Sequence, residues 1–407
     1  MERIRVLFLI ESRNNPPINS DNKSIYKQLG LHANDVNPTA NAATKTYRPS
    51  QSPPDIFQMY STPYRAPWPL SNGFLMTLYA GLRASDQWET TLAESEPDFQ
   101  EKVFTGAQGV PIFGLVAIPP NPIGTIIGTY GITGDLNDQW FLRIMARKAY
   151  AQGYAVVIFD WRAHGETAKL SPTLTSDGLY EGEDFVRIAA AAKAMGAPAP
   201  FWFTAFSLGG LLALWGVKAA QELPQWGADL AIEEDDIAGC AVICPALESM
   251  RSLTYLTQAP LGKYLEKAIT RKLKQLLGEL QQAHPTAFDP EAASRVHSIW
   301  SFDHEMVISR LGFDSVEAYY KATSGLYILP ELTKPTLILY AADDPLFDPA
   351  LVEEIQTICA TNPAVELIMT QQGGHVGYIS SRRCQNQYND PDKWWAWNRI
   401  FDWWRTF

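Results

Sequence analysis

Three short segments carry residues whose types and order could break an acyl bond. In Phe203-Thr204-Ala205-Phe206-Ser207-Leu208-Gly209-Gly210 an apolar run reaches a serine, then glycines, then the apolar stretch 211–215. This fits a nucleophile elbow, a tight strand-to-helix turn that displays one side chain and aims a helix N-terminus at developing negative charge. Such a turn needs small residues two before and two after the serine; Gly209 is one, and Ala205 stands where glycine is usual. Tyr340-Ala341-Ala342-Asp343-Asp344-Pro345 places acids after a second apolar run, and Gln372-Gly373-Gly374-His375-Val376-Gly377-Tyr378 places a histidine in a glycine-rich loop. A serine hydroxyl is a poor nucleophile until an imidazole takes its proton, and that imidazole needs an acid to fix its tautomer. Each residue also has a bland role, as a turn serine, a helix-capping aspartate or a loop histidine.

Their order favours the chemical role. Asp344 follows Ser207 by 137 positions and precedes His375 by 31, the Ser, Asp, His order that α/β-hydrolases use. Asp344 is preferred over Asp343 because Pro345 pushes its predecessor into an extended conformation, from which a carboxylate can reach the next loop. Asp343 would then accept backbone N–H bonds in the turn. Thr129-Tyr130-Gly131-Ile132-Thr133-Gly134-Asp135 is the candidate oxyanion loop, with Ile132 and Leu208 as backbone donors. His164, in Asp160-Trp161-Arg162-Ala163-His164-Gly165, precedes the serine and reads as a brace rather than the base. His297 and His304 read as surface or packing groups.

The elements that must position these residues follow from hydrophobic pattern. Segments 112–118, 125–130, 155–159, 202–206, 237–243, 335–340 and 365–370 read as short buried strands, with helices near 138–151, 181–194, 208–221 and 349–360. Alternating strands and helices imply a mostly parallel sheet covered on both faces, with chemistry at the carboxyl ends of the strands. Residues 246–331 show only helical periodicity, including Leu261, Leu265, Ile269, Leu273, Leu276 and Leu280, and read as a helical cap. The core would then comprise 61–245 and 332–407. Residues 1–60 are rich in polar residues and proline and read as a loosely ordered extension.

A formal charge of −11 and 19% charged residues argue against nucleic-acid partners. Four scattered cysteines, without CxxC spacing, argue against a disulfide framework or a zinc site and fit a cytoplasmic setting. Cys240 and Cys244 read as buried thiols on one strand face. No apolar run approaches the ~20 residues that span a bilayer. The block 6–10 is followed by Glu11, Ser12 and Arg13, so no export signal is read. Trp394, Trp395, Trp397, Trp403 and Trp404 read as a terminal packing face, and Lys263, Lys267, Arg271 and Lys274 as a solvated stripe. Peripheral membrane contact stays compatible with both.

From about residue 60 onward the chain resembles the YheT-like carboxylesterases of the AB hydrolase superfamily. Pro67-Trp68-Pro69-Leu70-Ser71-Asn72-Gly73-Phe74-Leu75-Met76-Thr77-Leu78 resembles that group's N-terminal signature. Phe206 to Gly210, Asp343-Asp344-Pro345 and Gly373 to Gly377 resemble its elbow, acid and base loops, and Phe302-Asp303 and Ala318-Tyr319-Tyr320 landmarks of its cap. Tyr130 stands where the family has histidine, Phe74 replaces another, and Arg162-Ala163-His164-Gly165 departs from its Arg-Gly loop. The resemblance implies cleavage of carboxylic esters of acyl chains, uncharged or lipid-like, through an acyl-enzyme on Ser207, with no metal or organic cofactor. Acyl transfer to an alcohol is the second reading. A catalytically silent binding protein on the same fold is the third, suggested by Tyr130 and Ala205.

Overall fold

The structure is a computed structural model that describes residues 64–407. The expected extension over 1–60 and the apolar block 6–10 lie outside the described residues. Eight strands form one sheet: β1 (Gln100–Thr105), β2 (Pro111–Ala117), β3 (Thr125–Gly128), β4 (Ala155–Phe159), β5 (Phe201–Phe206), β6 (Ile237–Ile243), β7 (Thr336–Ala341) and β8 (Val365–Thr370). Their order is β1-β2-β4-β3-β5-β6-β7-β8, and β3 to β8 run parallel. β1 pairs antiparallel with β2, and β2 antiparallel with β4. β4 and β5 flank β3 on opposite sides, so the connections leaving β3 diverge there and open a crevice at the carboxyl edge.

β3, β4, β5 and β7 are buried at every position, which is why they read as continuous apolar runs. β1, which the hydrophobic pattern does not predict, has no apolar run. Its residues Gln100, Glu101 and Lys102 are polar, and only Phe104 is buried. The pleat of β5 shows how both faces are filled. Phe203 meets Phe185 at 5.0 Å on one face, while Trp202 meets Trp403 at 5.4 Å and Phe206 meets Phe141 at 5.3 Å on the other.

The helices that matter here are α1 (Gly73–Leu82), α2 (Trp140–Ala151), α3 (Glu181–Ala194), α4 (Leu208–Gln221), α5 (Ser249–Gln258), α6 (Pro260–Ala283), α7 (Val316–Thr323), α8 (Leu351–Thr361) and α9 (Trp395–Trp404). Between β6 and β7 the chain is entirely helical or irregular. Within α6 the expected apolar face is only partly buried: Leu273, Leu276 and Leu280 join Phe302, Met306 and Tyr319 in a second core, but Leu261 is exposed. Lys263, Lys267, Arg271 and Lys274 are all exposed.

The five C-terminal tryptophans are each at most 2% exposed. Trp397 packs 5.0 Å from Phe141 and its indole N–H donates to the Phe141 carbonyl at 3.0 Å. Helix α9 is therefore part of the core rather than an appendage. Trp397→Ala should cost about 3–5 kcal/mol of unfolding free energy, measured by urea titration; a loss below about 1 kcal/mol, the scale of an ordinary surface change, would show that α9 is not held this way.

Candidate active site

Ser207 ends β5 and caps α4 with its backbone at φ 57°, ψ −133°, outside the regions an L-residue prefers. Its N–H donates to the Ile243 carbonyl at 3.0 Å, and its own carbonyl accepts from Gly210 at 2.9 Å and Ala246 at 3.2 Å. Gly209 is required by closeness: a Cβ there would lie 2.2 Å from the Tyr130 carbonyl oxygen. The Ala205 methyl, in contrast, is fully buried in the strand. The elbow thus presses the start of α4 against the loop that follows β3.

The hydroxyl so displayed meets the histidine loop. Ser207 Oγ lies 2.8 Å from His375 Nε2, and His375 Nδ1 lies 2.8 Å from Asp344 Oδ2. With Nδ1–H donating to the carboxylate, Nε2 is left to accept from the serine O–H; the network assigns this tautomer. Asp344 is 4% exposed, and its second oxygen accepts from the Leu346 N–H at 2.9 Å. Asp343 faces elsewhere and accepts from the Gly374 N–H at 2.9 Å. The two neighbouring acids therefore take the two placements that Pro345 suggested.

A brace that sequence reasoning missed comes from the N-terminal part of the described chain. Asn72 caps α1 by accepting from the Leu75 N–H at 3.1 Å. One turn later Thr77 Oγ1 accepts from the His375 N–H at 2.8 Å while donating to the Gly73 carbonyl at 2.7 Å. Gly73 lets this helix start against the acid loop, since a Cβ there would lie 1.9 Å from the Asp343 carbonyl oxygen. The Asn72-Gly73-Phe74-Leu75-Met76-Thr77 run has the residue types of a capped helix start, but nothing local names its partner.

Leu208 opens α4, so its N–H is among those with no acceptor inside the helix. Leu208 and Ile132 line one cavity with Ser207. Behind that loop, Thr133 N–H donates to His164 Nε2 at 3.0 Å, and His164 Nδ1–H donates to the Arg162 carbonyl at 2.9 Å. The ring stacks on Trp161 at 3.7 Å, and burial pushes its pKa down to about 4, so it stays neutral. Tyr130 turns into the core, where its hydroxyl donates to Asp160. Asp160 also accepts from the Leu136 and Glu166 N–H groups, both at 2.9 Å, while burial pushes it up to about 6. His297 and His304 are exposed on the helical insertion.

The cavity above Ser207 is walled by Leu174, Leu253, Leu256, Ile269, Leu273, Leu276 and Phe347, among others, so core and insertion both contribute to it. As for metals, Cys244, Asp344 and His375 have ligand atoms within 4.8 Å of one another. They do not fit an ion. Burial holds the Cys244 thiol protonated, its Sγ contacting the Gly374 carbonyl at 3.7 Å, and both histidine nitrogens are already engaged.

Residues 125–381 match the family model described as the alpha/beta hydrolase fold. The chain is also 52% identical over 345 residues, 84% of its own length and 94% of the relative's, to slr0264 of Synechocystis sp., a protein named as an esterase. The chain belongs to the α/β-hydrolases. Within them it is YheT-like: identity to Escherichia coli YheT, likewise named as an esterase, is 25% over 283 residues, covering 68% of this chain and 75% of that one. A mouse phospholipase, ABHD3, is 25% identical over 264 residues, 64% of this chain and 60% of its own. Among the described residues of this α/β-hydrolase no helix is long and apolar enough to cross a membrane.

The α1 brace generates a prediction for this hydrolase. Thr77→Val keeps the shape and removes the acceptor for the His375 N–H, an interaction worth about 1 kcal/mol. Ester turnover should fall about fivefold while the thermal midpoint moves little, and unchanged turnover would show that the loop needs no such support.

Proposed function

We propose that this α/β-hydrolase is a serine carboxylic ester hydrolase acting on acyl chains. One observation carries it: the unbroken chain of hydrogen bonds from Ser207 Oγ through His375 to Asp344, at 2.8 Å each, opening into an apolar cavity. Ser207 Oγ attacks the acyl carbon as its proton passes to His375 Nε2, and Asp344 stabilises the imidazolium through Nδ1–H. The tetrahedral oxyanion is held by the N–H groups of Leu208 and Ile132. Collapse breaks the bond to the alkoxy oxygen, which takes the proton from Nε2 and leaves as an alcohol. Water then repeats the sequence on the acyl-enzyme and frees the acid.

Residues 246–331 serve as the cap that keeps water from the acyl chain, and the apolar walls suit lipid-like chains. The esterase names of slr0264 and YheT support the same class. All four cysteines are free and buried, which fits a reducing, cytoplasmic setting.

A fluorophosphonate probe tests the nucleophile without knowledge of the substrate. It should label the wild type and not Ser207→Ala; labelling of the variant refutes the assignment. For the acid, Asp344→Asn should lower kcat on p-nitrophenyl esters by about 10⁴ through the wrong tautomer. Asp343→Asn should lose far less, because an amide oxygen still accepts from Gly374, and the opposite ranking would exchange their roles. Enlarging or shrinking Leu253 or Leu276 should shift acyl-length preference by about 0.8 kcal/mol per methylene, and no shift would place the chain elsewhere.

A further inference from the structure

The lining of the cavity above Ser207 includes two acids whose chemistry ester hydrolysis does not use. Asp177, from the loop before α3, and Asp303, from the helical insertion, both line it and are 6% and 8% exposed. Asp177 receives the Thr175 hydroxyl, at 3.3 Å, and Asp303 the Tyr320 hydroxyl. Burial raises the pKa of both, Asp177 to about 7, and for Asp303 the facing Asp177 charge adds to it. The other groups facing them are Glu181, Tyr319 and Tyr320, all acidic or neutral. Neither acid has a lysine, arginine or histidine partner among the described residues. Arg162 is spent on Asp184, at 2.7 and 3.0 Å, and His164 is neutral.

Two buried carboxyls lining one apolar cavity, with no built-in counter-charge, cost free energy when they ionise unless a cationic partner arrives. A second observation points to a ligand. Ser252 lines the same cavity and is buried, and its hydroxyl has no hydrogen-bond partner among the described residues. Trp161, Phe302 and Tyr320 line the same cavity. Carboxylates beside aromatic rings are what hold ammonium groups.

Resting on the reading of Ser207 as nucleophile, we infer that these acids mark a subsite for an ammonium group, primary or quaternary, carried by the ester substrate. A cation takes the place of the proton that the two acids otherwise hold, so its binding releases that proton and strengthens as pH rises through their titration. A neutral group of the same shape gains only the apolar walls.

The test compares kcat/KM for a choline ester with that for the 3,3-dimethylbutyl ester of the same acid, its uncharged isostere, and with a hydroxyl-terminated ester. The wild type should prefer the choline ester by about tenfold, more at pH 8 than at pH 6. Asp177→Asn and Asp303→Asn should bring the ratio towards one; because it is a ratio, a general loss of activity cancels. Tetramethylammonium should also slow fluorophosphonate labelling of the wild type, a readout that needs no variant to fold. Labelling of Ser207 with a ratio near one, a preference for the hydroxyl ester, or no protection by tetramethylammonium overturns the ammonium subsite and leaves the esterase standing. Absence of both labelling and turnover overturns the two together.

Discussion

The Ser207 backbone, at φ 57° and ψ −133°, occupies a conformation that costs an L-residue on the order of 1–3 kcal/mol. It persists because its surroundings leave no alternative. The Ile243 carbonyl takes its N–H, Gly210 and Ala246 donate to its carbonyl, and Gly209 lies flush against the Tyr130 carbonyl. Relaxing the turn would break these bonds and separate β5 from α4 at the centre of the sheet. From this fixed point the rest of the carboxyl edge is arranged: the loop after β3 on one side, the acid and histidine loops of β7 and β8 on the other.

Polar groups around that edge show how an acidic chain tolerates burial. Asp160, Glu181 and Asp343 each accept backbone N–H bonds, so their charge or partial charge is answered by amides rather than by lysines. Arg162 answers Asp184 directly and also reaches the Ala107 carbonyl at 2.9 Å, tying the β1–β2 turn to α3. Tyr130 adds a neutral donor to the same edge. Its phenol reaches down to Asp160 and anchors the loop from below.

What the sequence disclosed tracks how local the cause was. β3, β5 and β7 are buried on both sides and so appear as unbroken apolar runs, whereas β1 covers an edge with Gln100, Glu101 and Lys102 and leaves no such trace. Ser207, Asp344 and His375 were legible because each follows its own strand, and Asp344 stood apart from Asp343 through the local effect of Pro345. Contacts set by the folded sheet were not legible. Thr77 and His375 are 298 positions apart, and Asp177 and Asp303 meet only because the helical insertion folds back over the core. Leu261 kept the helical period yet is exposed, since periodicity says which residues share a face but not how far along that face the packing extends.

Thr77 and Gly73 also order events in time. A ribosome makes α1 well before the β8 loop, and at 5–20 residues per second the 298 positions that separate Thr77 from His375 take about 15–60 s. Throughout that interval Met76, fully buried in the finished fold, has no histidine loop to pack beneath. The Tyr64 hydroxyl likewise waits for the Ile379 carbonyl, 315 positions later. The nascent chain therefore carries α1 without its histidine loop until that loop is made, a window in which chaperones have a defined target and in which a stalled ribosome yields a sheet with its serine turn formed but its histidine not yet made.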